Sequence, residues 1–355
     1  ERTMIEWAGK RFFCFGLVIW LSTGVPPALA QNVEEFYRGR NVTMYIPSAP
    51  GGVNDIAGRM VARFLPKYIP GSPKITPRND EGAAGIAMAN RIYNSSDKDG
   101  SVIAIIERAT PQLAIQGDPN VKFDPEKFTW LGSLSSYVDD AYILVVNDKN
   151  PVRSVEDLKA RRLTMQVAAM NPSTTNTIFA AIAKNTLGLN ISIIRGYTGA
   201  APMFLAMQRG EADAQVVGLS SIKAGQPALW TGKQVRALIQ FGRLTRNSEL
   251  PDVPTGRELA PNAEALALLD FAELPFFMAL PFFAPPGLPT DRANALQKAF
   301  MAMCADEEFQ TEAKRYNLDL SPIDGEAVRG LLAKAAKTPK SIIESYNDIV
   351  GVAKR

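Results

Sequence analysis

Tyr45-Ile46-Pro47-Ser48-Ala49-Pro50-Gly51-Gly52-Val53-Asn54-Asp55 is the stretch that decides the fold. An apolar strand over 42–46 runs into a turn punctuated by Pro and Gly, and a helical segment follows from 55 to 64. Gly51 and Gly52 let the backbone approach a ligand with no Cβ in the way. Asn54 or Asp55 is placed to cap the helix. The first N–H groups of that helix have no intrahelical partner and carry the positive end of its dipole, so strand, small-residue turn and helix start form an anion cradle. A plain strand-to-helix connection with no ligand would satisfy the same residues. No Gly-Lys-Ser/Thr follows, and Gly-x-Gly-x-x-Gly is absent, so the stretch is neither a Walker loop nor a dinucleotide fingerprint.

Working outward, strands are expected at 74–76, 101–106, 128–134, 142–146, 163–168, 191–194, 214–218 and 235–241. Helices are expected at 57–65, 82–93, 177–187, 200–208, 290–304, 307–316 and 327–349, with one capped by Ser154 and running to Lys159. This alternation predicts α/β lobes, each a mostly parallel sheet flanked by helices. Ligands in such sheets sit at the carboxyl ends of the strands. Five polar turns fall there. They are Ser48, Ala49, Gly51, Gly52, Val53, Asn54 and Asp55; Glu107 with Arg108; Asn171, Ser173, Thr174 and Thr175; Tyr197, Thr198 and Gly199; and Gly218 with Ser220. Rich in Ser, Thr, Asn and Gly and poor in charge, they suggest a cleft that binds through N–H and hydroxyl donors. The Pro- and Phe-rich segment 275–289 reads as a packed connection.

The ends and the composition bound the function. Lys10 and Arg11, an apolar run over 12–21, and Ala28-Leu29-Ala30 predict a secretory signal peptide over 1–30, with Glu1–Thr3 set aside before Met4. The mature chain, roughly 325 residues, suits two lobes. It keeps one cysteine, Cys304, so an intramolecular disulfide is excluded, and export without disulfides fits a bacterial periplasm. The formal charge is only +3, with no basic stripe for nucleic acid. Histidine is absent. That rules out Ser-His-Asp and Cys-His nucleophiles and histidine-ligated metal. Carboxylate-only chemistry on Glu107, Asp139 or Asp140 is what remains for an enzyme.

The chain resembles the Bug family, the substrate-binding proteins of tripartite tricarboxylate transporters. Residues 47–55 resemble the family's first turn, with Arg59 in the helix that follows. Gly82-Ala83-Ala84-Gly85, Lys98-Asp99-Gly100, Tyr197-Thr198-Gly199 and Gln208-Arg209-Gly210-Glu211-Ala212-Asp213 match further family segments in order. The most specific matches are Leu250-Pro251-Asp252-Val253-Pro254-Thr255 with Glu258, and Ala284-Pro285-Pro286-Gly287-Leu288-Pro289. The resemblance implies a two-lobed, type II periplasmic-binding-protein-like fold with two crossover strands. It divides the chain into 31–139 plus 241–355 as one lobe and 140–240 as the other. It also implies a small organic carboxylate held by main-chain N–H groups of turns 48–55 and 197–199, delivery to membrane permease subunits, no cofactor, no metal, and a monomer. Ala168 to Thr175 replaces a Gly- and Ser-rich family turn, and Gly218-Leu219-Ser220 stands where the family often has an aspartate. That loss argues against an ammonium group on the ligand and favours di- or aromatic carboxylates. Arg108 and Arg195 are candidates for a second carboxylate, and Tyr137 and Met170 for apolar walls. A sensory partner of a two-component system, and a carboxylate-based hydrolase or lyase on the same scaffold, are the alternative functions.

Overall fold

The computed structural model describes residues 32–160, 164–172 and 174–351. The expected signal peptide over 1–30, Ser173 and the start of the expected strand 163–168 lie outside them. The chain first lays down β1 (Asn41–Ile46), β2 (Lys74–Asn79), β3 (Val102–Ile105) and β4 (Thr129–Ser133). It then crosses to a second sheet of β5 (Tyr142–Asn147), β6 (Met165–Ala168), β7 (Ile191–Ile194), β8 (Ala214–Gly218) and β9 (Val235–Phe241). Finally it returns to add β10 (Pro281–Ala284) and β11 (Ile323–Asp324) to the first. The strand orders are β11-β4-β10-β3-β1-β2 and β7-β6-β8-β5-β9.

Both sheets follow one rule. β2 and β3 pair parallel to β1, while β10 is wedged antiparallel between β3 and β4. In the second sheet β6 pairs parallel to β7 and β8, while β5 lies antiparallel between β8 and β9. β11 adds an antiparallel strand at the edge of the first sheet, and the interior of each expected mostly parallel sheet is interrupted by one inverted strand. That strand is the one that follows a passage from the other sheet: β5 comes straight after 134–141, and β10 after the return from β9. A strand arriving from a neighbouring lobe enters from the side opposite to a strand delivered by a helical crossover.

Each sheet is covered on both faces, so its inner strands β3, β5, β8 and β10 are almost wholly buried, while the edge strand β2 carries Lys74, Arg78 and Asn79. Phe282 packs with Met44, Met60 and Phe300 on one face of the first sheet. Its neighbour Phe283 packs with Trp130, Met88 and Leu332 on the other. Successive side chains of a strand point to opposite faces, and truncating either ring to Ala would cost about 3–5 kcal/mol. In the second sheet Leu144 and Val146 face one core, Ile143 and Val145 the other.

Three helical expectations change. The helix Ala263–Phe277 was not anticipated, although 271–284 is buried as a packed connection should be. It is apolar on nearly every side because it touches both lobes: Phe271 and Phe276 enter the second sheet's core, and Leu274 that of the first. The expected helix 327–349 is two, Gly325–Ala335 and Lys340–Val350, separated at Pro339, whose ring cannot continue a helix. Ile342 and Tyr346 of the second of these pack into the second sheet's core. Short helices Thr110–Ile115, Leu219–Gly225 and Pro227–Thr231 were also not anticipated.

Candidate functional site

The helix after β1 spans Val53–Phe64, and Gly52 is its N-cap with no side-chain cap. Asn54 and Asp55 therefore lie inside its first turn and cap nothing, contrary to expectation. The N–H groups of Val53, Asn54 and Asp55 meet no acceptor among the described residues. Both side chains turn inward and are buried. Asp55 accepts from the Gly51 N–H at 2.9 Å, from Arg59 Nε at 2.8 Å and from Asn79 Nδ2 at 2.8 Å. The Asn79 amide also donates to the Ser48 carbonyl at 2.7 Å. Burial pushes the Asp55 carboxyl up, but the bonds from Arg59, Gly51 and Asn79 outweigh it and hold the group below its ordinary value. Asp55 is thus the brace of the turn, and it takes the Gly51 N–H that the sequence suggested for a ligand. The Ser48 hydroxyl is buried without a hydrogen-bond partner among the described residues, while Ala49 and Val53 are exposed.

A second helix start, expected from Gly82 but not among the candidate site residues, stands against this turn. Gly85 precedes the helix Ile86–Ser95 at φ +79°, and a Cβ there would lie 2.7 Å from that of Pro47. Only glycine allows this left-handed bend and close approach. Asn54 also donates through its amide to Glu107, at the end of β3. Burial raises the Glu107 carboxyl, opposed by the Asn54 bond and the Arg108 charge.

In the second sheet the strand ends surround a cavity of about 420 Å³. Its walls include Thr174, Thr175 and Asn176 at the start of the helix Thr175–Asn185, Ala200 and Met203 at the start of the helix Ala200–Arg209, and Gly218 with Ser221 after β8. Tyr142, Met170, Val216 and Val217 complete them. The two turns are tied together: the Ala169 N–H donates to the Ile194 carbonyl at 2.8 Å and the Tyr197 N–H to the Ala169 carbonyl at 3.3 Å. Two helix N-termini thus border one hollow with mixed polar and apolar walls. Another hollow of about 460 Å³, at Asn185, Glu264 and Ser345, lies among helices and connections and meets no strand end.

The expected residues divide accordingly. Thr174, Thr175, Gly218 and Met170 line the cavity. Asn171 and Thr198 are exposed, Tyr197 and Gly199 are half-buried behind the helix start, and none of the four lines it. Ser220 is displaced: its N–H donates to Asp140 Oδ1 at 3.0 Å and its hydroxyl to Asp140 Oδ2, on the side of a different hollow. Ser221, one step along the helix Leu219–Gly225, takes the place expected for it. Arg195 is exposed and borders no described cavity. Among the three carboxylates considered for catalysis, Glu107 is bonded to Asn54 and Asp140 to Ser220 and the Ala141 N–H. No group of three or more His, Cys, Asp or Glu among the described residues is arranged to hold a metal.

The first-lobe turn does not line the cavity. Between them runs an aromatic strip: Phe276 lies 5.2 Å from Tyr137 and 5.4 Å from Tyr142, centroid to centroid. The Arg108 guanidinium sits 4.4 Å over the Phe276 ring. Tyr137 itself adopts φ +62°, unusual for a bulky residue and typical of strained functional segments.

Comparison with known proteins agrees with this architecture. A TctC solute-binding protein from Polaromonas, 21% identical, superposes with a TM-score of 0.68 over 87% of this chain and 99% of its own. Rpa4515 of Rhodopseudomonas palustris with adipate, 20% identical, gives 0.53 over 88% and 98%. A UPF0065 protein from the tcbD–tcbE intergenic region of Pseudomonas sp. (strain P51) is 25% identical over 311 residues, 83% of each chain. The model of the tripartite tricarboxylate transporter family receptor, TctC, matches residues 67–347. The chain belongs to the tripartite tricarboxylate transporter receptor family.

Proposed function

We propose that this protein is a periplasmic receptor that captures a small organic carboxylate between two lobes and hands it to the permease subunits of a tripartite tricarboxylate-type transporter. The lobes are those built on the two sheets, dividing near 139–140 and 240–241, and the crossing segments serve as hinges. The single observation that carries the reading is the pairing of two helix N-termini on one 420 Å³ cavity with a first-lobe turn whose helix-start N–H groups and buried Ser48 hydroxyl lack acceptors. A carboxylate oxygen would satisfy those donors, and closure would exclude water and strengthen the bonds. The ligand contacts proposed are Ser48, Gly52, Val53 and Asn54 through their N–H or hydroxyl groups, Thr174, Thr175 and Gly218 on the second lobe, and Arg108. The adipate bound to the Rhodopseudomonas structure supports the ligand class.

The test is a thermal-shift screen of the mature chain against mono-, di- and aromatic carboxylates, with amino acids and neutral sugars as controls. Binding to the folded state alone raises the apparent melting temperature with concentration. Shifts confined to carboxylates, with compaction by small-angle scattering on binding, are the expected result. Shifts with sugars or amides only would overturn the reading.

A further inference from the structure

We propose that Arg108 selects ligands that carry a second acidic group beyond an apolar body; this rests on the carboxylate-receptor reading and sharpens it. Five described arginines are buried or half-buried: Arg108, Arg236, Arg243, Arg257 and Arg292. Four are met by protein oxygens. Arg236 pairs with Asp148, and Arg257 with Asp270 and Glu273. Arg243 donates to four carbonyls and Arg292 to one, that of Asp99. Arg108 meets aromatic groups. Its guanidinium lies 4.4 Å over Phe276 and 5.9 Å from the centre of Tyr137; burial raises the Tyr137 phenol, and the charge and hydrogen bond of Arg108 oppose that rise. No described carboxylate comes within ion-pair distance of it, although Glu107 is its chain neighbour.

A cation stacked on rings is held in place by their faces, while the edge donors not engaged by the Tyr137 hydroxyl are open to a carboxylate. Its position suits a ligand that spans the cleft. Glu107 ties this strand end to Asn54 in the first-lobe turn. On the other side Phe276 and Tyr137 continue to Tyr142, which lines the second-lobe cavity. A ligand with one carboxylate at the helix starts and a hydrocarbon or aromatic body along Tyr142 brings its second acid to Arg108. Met170, Met203 and Val217 give the same cavity an apolar wall against which the ligand's hydrocarbon body would lie.

The experiment uses matched probes: adipate against hexanoate, and benzene-1,4-dicarboxylate against benzoate, titrated calorimetrically into the mature chain and into Arg108→Gln and Arg108→Lys. The expected result is that the wild type binds a diacid at least about tenfold more tightly than its monoacid. Arg108→Gln removes that preference by weakening the diacid at least about tenfold more than its monoacid, and Arg108→Lys restores part of it. Equal loss of diacid and monoacid in Arg108→Gln, with melting temperature unchanged, would overturn the assignment, as would an undiminished preference. If Arg108→Gln fails to fold, the wild-type preference and the Arg108→Lys variant decide. Monoacids binding the wild type as tightly as diacids sinks this inference and leaves the receptor reading standing; no binding of any carboxylate sinks the receptor reading itself.

Discussion

Arg243 Nη1 donates to the carbonyl of Asp140 at 2.6 Å, so the segment leaving β9 is fastened to the one entering β5. The same nitrogen shares its hydrogens with the Val138 and Tyr137 carbonyls at 2.6 and 3.1 Å, and Nε donates to Thr245 at 2.9 Å. The guanidinium is buried, and desolvation lowers its pKa against the pull of Asp139, Asp140 and Asp319. One cation thus stitches both passages between the sheets without a partner carboxylate within ion-pair distance among the described residues. Replacing it by methionine leaves several buried carbonyls without donors. Arg243→Met is expected to destabilise by about 3 kcal/mol, read as a lower urea midpoint at unchanged slope. A loss under about 0.5 kcal/mol would show that the crossings are held by other contacts.

Asp55 acts on the first turn at one remove. Its carboxylate gathers Gly51, Arg59 and Asn79, so its removal frees the turn that those bonds hold. Asp55→Ala is expected to weaken binding of whichever carboxylate the thermal-shift screen identifies by about tenfold, with Asp55→Asn intermediate. Calorimetry checks both. Unchanged affinity in Asp55→Ala would mean that the turn holds its shape without the brace.

Ser220 and Ser221 give opposite outcomes from adjacent positions. Ser221 faces the cavity, and Ser220 is engaged by Asp140. Ser221→Ala should lower carboxylate affinity by about three- to tenfold with little change in stability. Ser220→Ala should lower the melting temperature and spare affinity. The reverse pattern would place the ligand on the Asp140 side.

What could be read from the sequence was whatever depends on local pattern. The run into 42–46, the glycines that follow and the Ser154 cap, whose hydroxyl accepts from the Asp157 N–H at 3.1 Å, are local, as are the segments 250–255 and 284–289 that carry the family resemblance. What escaped depends on phase or on distant partners. Ser220 and Ser221 differ only by one step around a helix. Asp55 reads as a cap because one of its three partners, Asn79, lies on β2. The helix Ala263–Phe277 has no polar stripe because both lobes cover it, so helical periodicity could not announce it. Gly85 looked like one more turn glycine until Pro47 was found against it.

Glu258 shows how a family signature can be structural. It follows Leu250–Thr255 and straps that loop: its carboxylate accepts from Arg246, from the Thr255 N–H at 2.8 Å and from the Thr255 hydroxyl at 3.1 Å. Gln240 at the end of β9 holds the same loop through the Leu250 and Val253 carbonyls. The Arg246 hydrogen bond, followed by that of Thr255, holds the Glu258 carboxyl down to about 2 from its ordinary value of 4.5. A carboxyl whose pKa is lowered on folding contributes stability that is present above about pH 4.5 and is lost as pH falls toward 2, because the unfolded chain takes up its proton first. Half-exposed and screened, the group contributes no more than about 1 kcal/mol. Glu258→Gln is therefore expected to be slightly less stable than wild type at pH 7, with the two converging as pH falls from 4.5 toward 2, measured by urea unfolding across that range. Parallel curves would show that Glu258 titrates alike in the folded and unfolded chains, and the strap would then owe its hold to Gln240.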